Sequence, residues 1–155
     1  MAPEVEKASR ERENVTWLKW LPRAETLQRM KDALVLVLPS TWYEGFPMIL
    51  AEAFAMGLPV IASNLGSMSS IVDHRRTGLH FEPGNASDLV EKVRWLRAHP
   101  GEAMHMRTQA RLEFEAKYTA DRNYAQLMRI YELVLSPPGQ RNASAFAPVV
   151  ESVSV

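Results

Sequence analysis

Glu44 and Glu52 are the residues of this chain whose types and spacing could do chemistry. Glu52 lies in Pro47-Met-Ile-Leu-Ala-Glu52-Ala-Phe-Ala-Met56, a run of helical character that is otherwise apolar. An ionised carboxylate in such a setting is costly to bury alone, and no positive charge lies near it in sequence. A backbone or hydroxyl partner, solvent in a cleft, or a ligand are the three outcomes open to it. Glu44 stands eight positions earlier, just ahead of Gly45-Phe46-Pro47. That turn feeds a helix start, which offers unpaired N–H groups and a partial positive charge. Gly45 permits close approach, and Pro47 removes a donor where it is least needed, so the turn suits a phosphate. A carboxylate only accepts hydrogen bonds, which suits Glu52 to a vicinal diol such as a ribose. Glu44, ahead of the helix, would hold sugar hydroxyls or a developing charge. On spacing alone, a dipole partner and a Glu reaching solvent are the more ordinary explanation.

The elements that must position this pair follow from the apolar pattern. Residues 1–13 are polar and read as a frayed start or the end of a helix. Val15–Leu18 is a short strand candidate, and Pro22 opens a helix with Leu27, Met30 and Leu34 on one face. Leu34–Leu38 is continuously apolar, as in a strand buried on both faces of a parallel sheet. A loop over 39–47 leads to a helix over 47–56, stopped by Gly57. Pro59–Ala62 is a second buried strand, a short helix is expected near 67–73, and Leu79–Phe81 is a third strand. Asn85 caps a helix with Leu89, Val93 and Leu96 on one face, ended by His99-Pro100-Gly101. Further helices cover about 102–117 and, capped by Thr119, a face of Tyr124, Leu127, Met128, Tyr131 and Leu135. The division is a polar N-terminal segment at 1–13, a domain at 14–135 and a disordered tail at 136–155. Strands alternating with helices imply an α/β domain with a parallel sheet. Ligands then bind beyond the carboxyl ends of the strands, where the loops with Glu44 and Gly66 fall.

Composition narrows the function classes. Lys+Arg and Asp+Glu are both 18, so no electrostatic footprint points to nucleic acid or an anionic membrane. There is no cysteine, which excludes disulfides, thiolate nucleophiles and Cys-based zinc sites. His74, His80, His99 and His105 lack metal-ligand spacing, so surface or capping roles and no metal are expected. Asp73–Arg76 reads as a solvated turn. Trp17, Trp20 and Trp95 read as packing, and Trp42 as a candidate sugar platform. The opening residues lack the apolar stretch of a secretion signal and no run is long enough to span a membrane. A cytoplasmic setting is the expectation.

The stretch from Val35 to Gly66 resembles the retaining glycosyltransferases of family 4, the glycosyl transferases group 1 set. The likeness rests on Pro39-Ser40, Glu44-Gly45-Phe46, Glu52-Ala53 and Gly57-Leu58-Pro59-Val60, with seven residues between the two Glu. It continues through Thr77-Gly78-Leu79 and Phe81–Gly84 to about Leu135. The resemblance implies a partial Rossmann-like fold, the second half of the C-terminal domain of a two-domain GT-B enzyme, with C-terminal helices. It implies a UDP- or GDP-linked sugar donor and no cofactor or metal. It places Glu52 on the ribose hydroxyls and Glu44 at the catalytic centre, beside donor sugar and phosphate. Ser40, Gly45, Phe46, Pro47 and Met48 complete the donor-binding set.

The chain departs from that pattern. Ser70 stands where the family has Glu, Lys19 where it usually has Gly, and Leu34 where an Asp is expected beside Ala33. The acceptor-binding N-terminal domain and the basic phosphate clamp are missing from the stretch matched. A chain so truncated is expected to be inactive alone, and to pair with the missing domain or self-associate through exposed apolar surface. The alternative is a non-catalytic nucleotide-sugar-binding or interaction module of the same descent.

Overall fold

The computed structural model describes residues 2–136. The expected tail lies outside these residues but for Ser136, the C-cap of the last helix. The polar opening forms a helix, α1 (Ala2–Glu11), stabilised by pairs one turn apart such as Arg10–Glu6 at 2.7 Å. Val15–Leu18 does not form the expected strand. Ser9 takes over its backbone instead: the hydroxyl donates to Val15 O at 3.1 Å and accepts from Trp17 N at 3.0 Å.

The remaining elements are α2 (Arg23–Asp32), β1 (Leu36–Leu38), α3 (Met48–Ala55), β2 (Val60–Ser63), α4 (Gly66–Ile71), β3 (Gly78–Phe81), α5 (Ala86–Ala98), α6 (Pro100–Lys117) and α7 (Ala120–Leu135). The strands form a parallel sheet in the order β1-β2-β3, with Leu36 opposite Val60 and Val60 opposite Gly78. Successive side chains of a strand face opposite sides. Val60 and Ala62 accordingly join a core with Leu50, Phe54, Met68 and Ala110, while Ile61 joins Leu79, Phe81, Leu96 and Met106. The sheet is therefore covered on both faces, which explains why the second strand reads as unbroken apolarity.

β1 is different. It is an edge strand, none of its residues is fully buried, and Leu34 and Val37 are exposed. The expectation of a strand buried on both faces fails at 34–38, because on one side no strand pairs with β1 among the described residues. Leu34 also falls outside α2 and leaves the face shared by Leu27 and Met30.

Gly78 sets the spacing between β2 and β3. A Cβ at this position would stand 2.0 Å from Val60 O and 2.9 Å from Val72 Cγ1. Only a residue without a side chain lets the strands approach there. Asn85 accepts from Asp88 N at 3.0 Å and Thr119 from Arg122 N at 3.3 Å, so both expected caps form. His99 ends α5, and Pro100 starts α6 at once. α7 keeps its helical apolar period, but none of its residues is buried and Tyr124, Leu127, Met128, Tyr131 and Leu135 are all exposed.

Candidate functional site

Helical period divides α3 between core and groove. Leu50, Ala53 and Phe54 point into the core, each worth up to about 1.5–3 kcal/mol of burial for the larger side chains. Met48, Glu52 and Ala55 follow the other stripe and line an open groove of about 600 Å³. Leu27 of α2, Phe114 and Tyr118 at the end of α6, and Tyr124 of α7 complete its apolar walls. Glu52 finds the partner that its neighbourhood in sequence does not offer: Arg23 Nη2 stands 2.9 Å from Glu52 Oε1. The Glu52 side chain is 23% exposed and that of Arg23 75%. Arg23 comes from the first turn of α2, immediately after Pro22, and reaches across to α3. Arg23 and Glu52 are the charged residues of this lining.

The loop after β1 builds a second cluster, at the carboxyl ends of the strands. Buried Ser40 donates its hydroxyl hydrogen bond to Glu44 Oε1. Ser67, in the first turn of α4, donates to Glu44 O at 2.8 Å, tying the loop after β1 to the loop after β2. Gly66 makes that approach possible. It sits at φ 54°, and a Cβ there would lie 2.7 Å from Tyr43 Cδ1. Ser70, at the position where a Glu is expected, is exposed and donates to Ser67 O at 2.9 Å.

The turn between the two carboxylates links the clusters. A Cβ on Gly45 would meet open space. Phe46 is 45% exposed and packs its ring 5.7 Å from that of Tyr118, which itself lines the groove. Pro47 is buried at the N-cap of α3, and Met48 is exposed. Met48 and Glu52 thus share the groove. Ser40 and Glu44 share the loop cluster and are not part of the groove lining. Trp42 is exposed beside them. Trp20 is 84% exposed, so it does not pack as expected.

Sequence reasoning missed Arg23, Tyr118 and Ser67. Arg23 leaves a signal only as a basic residue directly after the proline that opens α2. It also missed a polar network on the β3 side. Arg76 Nη2 meets Glu113 at 2.6 Å, Arg76 Nε meets Asp73 at 2.6 Å, and Lys117 Nζ meets Glu113 at 2.5 Å. Arg76 is therefore not part of a merely solvated turn. Its charge is taken up by an acid on α6, 37 residues away. Burial pushes the Glu113 carboxyl up, but hydrogen bonds from Lys117 and Arg76 outweigh it and hold the group below its ordinary value. Tyr118 is raised, by burial first and by the nearby Glu113 charge second. His74 and His80, with rings 5.5 Å apart, are both lowered, chiefly by burial; for His74 the neighbouring His80 adds to it. No cluster of three or more His, Asp or Glu able to hold a metal occurs among the described residues. No helix among them is long and apolar enough to cross a membrane.

A parallel sheet covered by helices, with polar clusters gathered where its strands end, is a Rossmann-like α/β domain. It matches the C-terminal domains of GT-B glycosyltransferases. Sucrose-phosphate synthase from Thermosynechococcus elongatus superposes with a TM-score of 0.77 at 27% identity, over 85% of this chain and 34% of that one. The C-terminal domain of a glycosyl transferase group 1 family protein from Francisella tularensis gives 0.64 at 19% identity, over 77% of this chain and 60% of that one. Residues 5–113 match the family described as glycosyl transferases group 1, and the chain belongs to that family. An uncharacterized glycosyltransferase of Methanocaldococcus jannaschii is 27% identical over 117 residues, 75% of this chain and 30% of that protein. The chain thus spans about a third of the length of such relatives.

Proposed function

We propose that this chain is the donor-binding part of a family 4 glycosyltransferase. It takes a UDP- or GDP-linked sugar and serves transfer to an acceptor with retention of anomeric configuration. The observation that carries the reading is the stripe of Met48 and Glu52 on α3, set in an open groove that the Phe46–Tyr118 contact joins to the turn following the Ser40–Glu44–Ser67 cluster. Glu52 grips the ribose hydroxyls. Glu44, oriented by Ser40, stands at the donor sugar and its phosphate as the catalytic carboxylate. Gly45, Phe46 and Pro47 form the loop against sugar and phosphate, and Met48 borders the nucleotide. The phosphates lie at the amides opening α3, and stabilising the leaving diphosphate is the main electrostatic task. No metal or further cofactor enters this scheme, and the setting is cytoplasmic.

The partners are the nucleotide-sugar and a second domain that presents the acceptor and the cations for the diphosphate. A diphosphate without those cations loses charge-assisted bonds of roughly 1.5–3 kcal/mol each, so the 155-residue chain alone is inactive. Without the second domain it self-associates through β1 and α7. Turnover of UDP- or GDP-glucose by the purified chain would refute the first point, and a stable monomer in sedimentation the second. Calorimetric titration with UDP and GDP tests the site itself. Glu52→Gln is expected to weaken binding about ten-fold, the scale of a charged hydrogen bond. Unchanged affinity would remove Glu52 from the site. A non-catalytic nucleotide-sugar-binding module is the second reading, favoured by exposed Ser70, whose hydroxyl spends itself on Ser67 O.

A further inference from the structure

Within the groove, Arg23 and Glu52 form an ion pair for which stability gives no sufficient reason. An ion pair whose arginine is 75% exposed contributes little to folding. Arg23 Nη2 and Glu52 Oε1 approach to 2.9 Å inside the groove, where a ligand would meet both groups. The remaining walls are apolar apart from Asn123 and the hydroxyls of Tyr118 and Tyr124, so the pair is the one charged place in this lining.

Two physical consequences follow. An unpaired carboxylate rotates freely about its last torsion, which is broad and roughly two-fold for Glu. The Arg23 charge, 2.9 Å from Oε1, favours the orientation that keeps this oxygen toward the guanidinium and so restricts how the carboxylate accepts from a ligand. An unpaired carboxylate also repels a phosphorylated ligand, and the guanidinium cancels that charge at 2.9 Å. Resting on the reading of Glu52 as the ribose acceptor, we infer that Arg23 is the positioning residue of the ribose site. Acting through Glu52, it sets the preference for a ribonucleotide over its 2′-deoxy counterpart.

The test is calorimetric titration of the 155-residue chain with UDP and 2′-deoxy-UDP, repeated with GDP and 2′-deoxy-GDP. The proteins are wild type, Arg23→Ala, Glu52→Gln and the double variant, with circular dichroism confirming the fold of each. Wild type is expected to prefer the ribonucleotide by about ten-fold or more, and Glu52→Gln to abolish the preference. Arg23→Ala is expected to narrow it by about three- to five-fold, the scale of an exposed ion pair. In the Glu52→Gln background, removal of Arg23 is expected to change nothing further, since the two act as one unit. A preference lost in Glu52→Gln but untouched in Arg23→Ala overturns the inference and leaves the ribose reading standing. Equal weakening of both nucleotides by Arg23→Ala, whether or not Glu52→Gln is also present, makes Arg23 a direct ligand contact and also overturns it. A wild type that binds neither nucleotide, or binds them equally, sinks the ribose reading and this inference together.

Discussion

Glu52 and Glu113 are both acids on helices whose neighbouring positions enter the core, yet their surroundings diverge. Glu113 is 8% exposed and holds two cations, Arg76 and Lys117, on its two oxygens. Glu52 is more open and meets one cation, which is itself highly exposed. Glu113 joins α6 to the turn before β3, with a cation on each of its oxygens. Glu52 has a single cation beside it and borders an open groove. A carboxylate among apolar neighbours is therefore not in itself a site; the number of its protein partners separates a structural acid from one available for binding.

Substitution of Glu113 has the larger expected effect on stability. Glu113→Ala leaves two cations without their shared acceptor and is expected to destabilise by about 2 kcal/mol, less than a fully buried pair because Arg76 and Lys117 remain partly solvated. Urea unfolding measures the loss, and UDP affinity of the folded variant should stay at the wild-type value. A drop in affinity without a drop in stability would erase the distinction. Glu52→Gln should show the opposite profile, with a change in stability below about 1 kcal/mol and the larger effect on nucleotide binding.

A third variant separates stability from both acids. Lys19 adopts φ 55°, a left-handed conformation that a side chain disfavours. Lys19→Gly is expected to stabilise by about 1 kcal/mol, after the greater freedom of glycine in the unfolded chain is counted. The same urea titration checks it, and a loss of stability would show that the lysine side chain contributes more than its backbone strain costs.

The smallest effect is in pH. His74 and His80 bind protons less readily folded than unfolded. Their contribution is complete above the ordinary histidine value near 6.5 and declines as pH falls from there through the depressed folded values. Glu113 is likewise depressed, so its contribution persists above the ordinary value of 4.5 and is lost at lower pH. Stability should therefore fall in two limbs on acidification. His74→Gln/His80→Gln should remove the upper limb alone, and Glu113→Gln the lower.

The parts of the fold that sequence makes legible are those in which local pattern and final packing agree. Val60 to Ala62 read as buried and are buried, because elements on either side of β2 in the chain cover both of its faces. Leu34 to Leu38 carry the same apolar signal and end up at an edge, since periodicity does not reveal how many strands stand beside them. Val15 to Leu18 show the limit from the other side: strand-forming residues adopt no ladder where a serine hydroxyl takes over their backbone groups. In the candidate site, Glu44 and Glu52 stand out in sequence through their chemistry. Ser40, the side-chain partner of Glu44, is local and legible, whereas Arg23 and Ser67 are not, because they arrive from other elements. Lys19 is legible in part, as a non-glycine where glycine is usual, and its positive φ supplies the physical reason for that usage.

Two arginines of α6 carry a consequence of their own. Arg107 donates to Ala33 O at 2.9 Å and Lys31 O at 3.1 Å, and Arg111 donates to Ala55 O at 2.6 Å. These carbonyls lie where α2 and α3 end and no further turn of helix can satisfy them. One rod thus pins the tails of the two helices whose heads carry Arg23 and the groove around Glu52. Inserting a single residue upstream of Arg107 would swing both guanidiniums by about 100° around the axis and unfasten both tails together. Tolerance to insertion should vanish along this stretch while it persists in the surface loops, even though no residue of α6 before Phe114 borders the groove.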